Sequence, residues 1–347
     1  MSHMRPESKG KGFVPKLWTF VKRALAGGAI LVVVLSLAGA IFQRVATARD
    51  MRRFPPPGKI VTIGSHRLHC RVEGAGTPTV VFDAPIGASS LGWALVQPEV
   101  AKFTGTFSFD RAGYGWSDAG TSPPTSGEIV DELHQLLERS GLPRPYVLVG
   151  ASFGGCNARL YAFRYPEEVA ALVLVDPAHE EQFKRAPSTT PRAAFLRIFQ
   201  LASRLGIMRL AGMPVDIAGM NVLPPDQEAA AAAVGYRTSA VDSIFAETAA
   251  IEQSFSQLRK ARMSAGSTPL GNRPLIVLTH REEKPPVGEE AAQYAIWVDL
   301  HRELATESTR GRQRFVEKSG HFIAVDQSAK VVEAIREVVE LTRNPPR

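Results

Sequence analysis

Residues 145–157, PYVLVGASFGGCN, constrain this chain more than any other stretch. Mostly apolar residues run into Gly150-Ala151-Ser152-Phe153-Gly154, and a helix-compatible stretch follows. A Gly-x-Ser-x-Gly between a buried strand and a helix implies a tight turn that lifts the serine hydroxyl above a sheet edge. The flanking glycines suit that turn, since side chains there would crowd the neighbouring strand and helix backbone. Alone, the pattern is common by chance in a chain with 29 glycines. The preceding strand and the following Gly155 give it meaning. The rest of the chain must then supply a sheet to hold the turn, and a base and an acid to activate the hydroxyl.

The sheet is legible on both sides of the serine. Residues 59–64 and 66–73 alternate as an opening hairpin around Gly64-Ser65. Residues 79–83, 106–110, 146–149 and 171–176 read as strands, the last almost pure Val and Leu. Helices are predicted over 91–102, over 126–140 with Ile129, Val130, Leu133, Leu136 and Leu137 on one face, and over 155–165. Continuous apolar strands separated by amphipathic helices predict an α/β fold with a mostly parallel sheet covered on both faces.

That rhythm breaks at 177–272, which hold no convincing core strand. Helix-compatible pieces fill 193–205, 225–238, 239–254 and 255–263, so this region reads as a helical cap inserted after the sixth strand. Its Met208, Met213, Met220, Phe199 and Phe245 either line an apolar pocket or pack the cap internally. Strands resume at 274–279 and 312–317, with helices over 289–307 and 328–341; Val331, Val332, Ile335, Val338 and Val339 face inward on the last. The core is therefore expected over 59–176 and 273–342.

Charge separates the N-terminus from this core. Lys and Arg number 41 against 34 Asp and Glu, yet ten of the basic residues and only two of the acidic ones precede residue 54. The remainder is near neutral, which argues against a nucleic-acid partner. Residues 24–42 carry no charge, a length that crosses a hydrocarbon core. Lys16, Lys22 and Arg23 before it predict a cytoplasmic or disordered basic segment at 1–23 and a domain exported to the periplasmic or extracellular side; Arg44, Arg49, Arg52 and Arg53 oppose that orientation. A cleaved signal peptide is the alternative, with small residues at Ala38-Gly39-Ala40 and Ala46-Thr47-Ala48. In that case the protein would be secreted. Residues 43–58 read as a linker ending in the proline run.

The serine needs a base, and the base an orienting carboxylate. His321, in Ser319-Gly320-His321-Phe322 after the last strand, is the best-placed base; His134, His179, His280 and His301 are less favourably placed or fall within helices. Cys70 and Cys156 make neither a disulfide scaffold nor a metal site, and Cys156 is expected buried and unpaired. With no HExxH and no dinucleotide glycine pattern, neither metal nor organic cofactor is expected.

At these residues the chain resembles the α/β-hydrolases, specifically the bacterial lipase, esterase and peptidase-like members, over about residues 60–342. The resemblance rests on Asp83-Ala84-Pro85-Ile86-Gly87, Asp110-Arg111-Ala112-Gly113-Tyr114-Gly115-Trp116-Ser117, Gly150-Ala151-Ser152-Phe153-Gly154-Gly155, Leu174-Val175-Asp176-Pro177-Ala178-His179 and Ser319-Gly320-His321-Phe322. It implies Ser152 as nucleophile, His321 as base, and the backbone N–H groups of Phe153 and Ile86 as the oxyanion hole. Pro85 stands where relatives usually have glycine, and Ala151 where many have histidine. Many relatives carry the acid after the seventh strand, where this chain has Glu282 and Glu283. Asp176, ending the sixth strand, is the preferred acid and that glutamate pair the alternative. Asp110 and Arg111 read as a loop-organising pair, and Asp326 as a local turn or cap residue.

The expected activity is hydrolysis of a small-molecule or lipid-like ester through an acyl-enzyme. Amide or peptide cleavage, or a cofactor-free perhydrolase, would use the same triad. A catalytically weak, membrane-tethered binding protein is the reading from another class.

Overall fold

The computed structural model describes residues 13–186, 193–215, 223–284 and 286–344. Its centre is an eight-stranded sheet in the order β1-β2-β4-β3-β5-β6-β7-β8. The hairpin of β1 (Lys59–Ile63) and β2 (His66–Glu73) is antiparallel, and β2 pairs antiparallel with β4 (Thr106–Phe109). From β4 onward every pairing is parallel, through β3 (Thr79–Asp83), β5 (Tyr146–Ala151), β6 (Val169–Val175), β7 (Leu275–Arg281) and β8 (Gly311–Glu317). β4 lies on one side of β3 and β5 on the other, so the chain order reverses there. A crevice opens above the carboxyl ends of the strands at such a point.

Side-chain alternation explains why both faces are covered. Val81, Leu148, Leu172, Leu174 and Val277 enter one buried cluster with Ile129, Leu133, Leu160 and Leu304. Their strand neighbours Val80, Phe82, Val147, Val149, Val173, Val175, Ile276 and Leu278 enter the other, with Val331, Ile335 and Val338. Successive residues of a strand point to opposite faces, so a strand buried on both must be apolar throughout. The first cluster takes helices α3 (Ser126–Ser140) and α4 (Phe153–Arg164). The second takes α2 (Gln97–Ala101) and α12 (Ser328–Arg343).

After β6 the chain leaves the sheet and forms α5 (Gln182–Arg185), α6 (Ala193–Arg204), α7 (Ile207–Leu210), α8 (Pro225–Gly235) and α9 (Thr238–Ala265). This is the helical cap expected after the sixth strand. Helix α10 (Glu289–Ala305) connects β7 to β8, and the short α11 (Ile323–Asp326) precedes α12.

Three expectations need correction. The helix expected over 91–102 is a 3-10 turn at Ser90–Trp93 followed by α2; Pro98 has no N–H to continue a ladder and sits in the first turn of α2 instead. The pieces at 239–254 and 255–263 are one 28-residue helix, α9, with no glycine or proline to divide it. The linker expected at 43–58 is helical as far as Arg53, because α1 (Phe13–Arg53) runs unbroken through the apolar stretch. Its end meets Phe54 and the prolines of 55–57. Over Leu17–Arg53 this helix is long and apolar enough to cross a membrane, and a signal sequence has the same character.

Candidate active site

β5 runs directly into Ser152, which holds φ 49° and ψ −118° before α4 begins at Phe153. Such a conformation costs a non-glycine residue about 1–3 kcal/mol and persists only where its surroundings dictate it. Here Ser152 N donates to Val175 O at 3.1 Å, while Ala178 N and Gly155 N donate to Ser152 O at 2.9 and 3.0 Å. The close approach of the turn to the β3 loop explains the second glycine of the motif. A Cβ at Gly154 would lie 2.3 Å from Asp83 O and 2.8 Å from Ala84 O.

The neighbouring strand end supplies a carboxylate. Asp176 is fully buried, with φ 44° and its N–H donating to Leu278 O at 2.9 Å. Its Oδ2 accepts from His321 Nδ1 at 2.6 Å and from His280 Nδ1 at 2.8 Å. Its Oδ1 accepts from His280 N at 3.0 Å and from Trp297 Nε1 at 3.2 Å. A carboxylate offers about four acceptor sites, and Asp176 uses all of them. Burial alone would raise its pKa. The bonds from His280 and His321 and the nearby histidine charges overcome that and hold it well below the usual carboxylate range.

His321 reaches Asp176 from the loop after β8. Ser319 N donates to Arg281 O at 3.2 Å, and Asp326 accepts from Gly320 N at 2.9 Å, which pins the loop; Asp326 is thus the local turn residue expected. Because an ionised carboxylate can only accept, His321 Nδ1 carries a proton in this contact, and in the neutral ring that tautomer leaves the lone pair on Nε2. Ser152 and His321 line one narrow cavity of about 20 Å³ with Pro85, Trp93, Phe322 and Val325. That is room for a single water.

The loop after β3 is shaped by a buried arginine. Arg111 Nη1 donates to Asp83 Oδ1 and to Ala84 O, both at 2.6 Å, and Nη2 donates to Pro85 O at 2.9 Å. Its Nε donates to Glu247 Oε1 of α9 at 2.7 Å. The carbonyl of Pro85 and the N–H of Ile86 belong to one trans peptide and point in opposite directions. Holding that carbonyl on Arg111 therefore turns the Ile86 N–H away from the arginine. Phe153 is the first residue of α4, and its N–H has no acceptor within the helix.

Asp110 and Arg111 organise loops, as expected, each through its own partners. Asp110 takes His69 Nδ1 at 2.8 Å and Ser90 N at 2.6 Å, while Arg111 turns to Asp83 and Glu247. Glu282 and Glu283 are exposed, with Glu283 3.7 Å from Lys318 and His321 engaged with Asp176 instead. Cys156 is buried, its Sγ donating to Ala178 O at 3.3 Å. In the cap, Met208 is buried and Met213 exposed; Met220 lies outside the described residues.

Sequence reasoning weighed His280 only as a weaker base and gave no role to Trp297 and Glu247. His280 is the last residue but one of β7, close to where a carboxylate is usually sought, and a histidine there does not mark itself as a partner of Asp176. Trp297 and Glu247 sit within helices whose facing partners are far away in sequence. Among the described residues no group of three or more His, Cys, Asp or Glu side chains is arranged so that it could hold a metal ion.

Residues 78–244 match the family described as the alpha/beta hydrolase fold. The probable transporter efuK of Hormonema carpetanum is 32% identical over 145 residues, covering 40% of this chain and 21% of that protein. The protein YqjL of Bacillus subtilis is 26% identical over 281 residues, covering 81% of this chain and 91% of its own. The matched segments span only about a fifth and three fifths of the first two curated relatives. Among solved structures, an N-acyl homoserine lactone degrading enzyme superposes with TM-score 0.58 at 18% identity, over 80% of this chain and 99% of its own.

Proposed function

From the premise that this chain has the α/β-hydrolase fold, we propose that it is a serine hydrolase that cleaves carboxylic esters. The observation that carries this reading is the 2.6 Å bond between Asp176 Oδ2 and His321 Nδ1, with His321 and Ser152 lining one cavity. It leaves His321 Nε2 able to accept the Ser152 proton.

In the first step His321 Nε2 takes that proton as Ser152 Oγ forms a bond to the ester carbonyl carbon. The carbonyl oxygen becomes an oxyanion and takes hydrogen bonds from the N–H groups of Phe153 and Ile86. The tetrahedral intermediate collapses, the C–O bond to the alcohol breaks, and His321 returns its proton to the departing oxygen. Water then enters, gives a proton to His321, and attacks the acyl-serine. Collapse of the second intermediate releases the carboxylic acid, and the proton returns to Ser152. Asp176 holds the imidazole in the right tautomer and stabilises the imidazolium in both halves.

Ester cleavage is favoured over amide cleavage because the cap acids Glu180, Asp242 and Glu247 are each engaged by an arginine, which suits them poorly to holding a peptide amine. The helix α1 serves as an N-terminal membrane segment, with the catalytic domain on the exported side. A fluorophosphonate probe tests the nucleophile: the wild type should label and Ser152→Ala should not. Equal hydrolysis of p-nitrophenyl esters by Ser152→Ala and wild type would remove Ser152 from the reaction.

A further inference from the structure

Resting on the reading of α1 as a membrane segment, we propose that the cap itself enters the lipid interface. The contact is the corner between α6 and α7. The protein then meets its bilayer at two places, the spanning helix and an apolar edge of the cap.

The depth of this corner is set by α1. A Cβ at Gly39 would lie 2.5 Å from Leu205 O, and one at Gly206 would lie 2.8 Å from Phe42 Cδ1, so helix and corner touch at residues 39–42. Just beyond, Gln43 Nε2 donates to Tyr236 O at 2.6 Å, and Arg209 Nε donates to Gln43 Oε1 at 3.2 Å. Arg209 also pairs with Asp50. Residues 39–42 are the last turn of the uncharged run, about 6 Å of helix at 1.5 Å per residue. A corner packed against that turn lies where hydrocarbon gives way to headgroups.

What the corner presents there is apolar. Ile198 and Leu201 on α6, Ile207 and Leu210 on α7, and Met213 just after are 65%, 56%, 51%, 74% and 49% exposed. Two basic chains at the corner are drawn back onto the protein, Arg204 to Asp242 and Arg209 to Asp50. On α1, Arg44, Arg49, Arg52 and Arg53 follow immediately, suited to anionic headgroups. An apolar edge with basic residues behind it is the character of a segment lying in the interface plane. The occupant is the lipid leaflet rather than a second copy of this chain. The patch is continuous with a helix whose exposed Leu31, Leu35 and Ile41 already require hydrocarbon.

The test uses the full chain in phosphatidylcholine–phosphatidylglycerol vesicles, with an environment-sensitive fluorophore on single introduced cysteines. The native Cys70 and Cys156 are both buried and should not label. Leu201→Cys and Leu210→Cys probe the corner, Leu31→Cys probes the spanning helix, and Lys330→Cys on α12 reports the aqueous reference. Bromines placed at different acyl depths quench the label nearest them. The Leu31 label should be quenched by deep bromines. The Leu201 and Leu210 labels should be quenched by shallow bromines at least twofold more than the Lys330 label. If the Leu31 label is quenched while the corner labels match Lys330, the helix spans and the cap stays in water, which overturns the inference alone. Quenching absent at Leu31 overturns the anchor reading and this inference with it. Corner labels that ignore bromine but transfer energy between copies assign the patch to self-association and overturn it too.

Discussion

The carboxylate of Asp176 accepts the Nδ1–H of His321 at 2.6 Å, bridging 145 residues of chain between the ends of β6 and β8. The same Oδ2 accepts from His280 Nδ1 at 2.8 Å, so two imidazoles share one oxygen. This shared acceptor determines most of what substitution at the site should do.

Replacing Asp176 with asparagine keeps the shape but leaves one acceptor oxygen and adds a donor. Either His321 or Trp297 and the His280 amide then face an NH₂ group, and His321 loses the partner that fixes its tautomer. A loss of about 10⁴ in kcat is expected. The double variant Glu282→Gln/Glu283→Gln should stay near wild type, since both side chains are exposed. Ester hydrolysis measured for both variants decides the matter, and near-full activity in Asp176→Asn would exclude Asp176 as the acid.

Arg111→Lys tests the loop after β3. Lysine keeps a charge between Asp83 and Glu247 but cannot reproduce the fork that also holds Ala84 O and Pro85 O. The Ile86 N–H then loses its fixed direction. Loss of one oxyanion donor costs roughly 10²–10³ in kcat, and KM should change far less. Unchanged kcat in a folded Arg111→Lys protein would show that the arginine serves packing alone.

Gly154→Ala should damage stability and activity together. The new Cβ would sit 2.3 Å from Asp83 O, a backbone atom that can yield only if the β3 loop shifts. Overpacking of this kind costs about 1–3 kcal/mol, read as a lowered melting midpoint. Fluorophosphonate labelling should slow in the same variant, because the serine turn moves with the loop. Gly141→Ala serves as a contrast: a Cβ there meets nothing within 4 Å, although φ 64° still strains it.

Two histidines should give opposite pH signatures. His301 is fully buried; its Nε2 donates to Pro177 O at 2.9 Å and Nδ1 accepts from Thr279 Oγ1 at 2.8 Å. Burial, against the nearby Asp176 charge, lowers its pKa to about 4. The unfolded chain takes up a proton near pH 6.5 that the folded chain refuses, so stability falls as pH drops from about 6.5 towards 4. The full effect is about 3 kcal/mol. Burial also lowers His280, but its bond to Asp176 and the Asp176 charge outweigh that and raise it. Its contribution is fully present below about pH 6.5 and is lost as pH rises through the raised value. Melting midpoints from pH 4 to 8 should therefore flatten on the acid side in His301→Gln. His280→Gln should cost more at pH 5 than at pH 8.

Several of these groups were visible in the sequence and several were not. Ser152 announced itself through Gly150, Gly154 and the apolar strand before it, all within one turn of the chain. Asp176 and His321 could be placed at strand ends because Val and Leu runs mark where strands stop. Whether His321 chose Asp176 or the Glu282/Glu283 pair could not be read, because strand-end residues of either kind satisfy the same local pattern. The register of β6 against β7, with Val175 beside Leu278, brings Asp176 next to His280 and leaves the glutamates on the exposed rim. The helix α1 shows the same division. Its apolar run was plain, but its continuation to Arg53 and its docking on Leu205 and Gly206 were not.

The sequence alone therefore determined most of the elements, the serine turn and the cap's place after the sixth strand. Those follow from periodicity, turn chemistry and β-branched runs, which act over a few residues. Tertiary structure alone decided the partners: Asp176 with both His321 and His280, Arg111 with Asp83 and Glu247, and α1 with the cap. Each joins residues far apart in sequence, and their selection depends on burial, which leaves a charged or polar group stable only where a complementary one meets it.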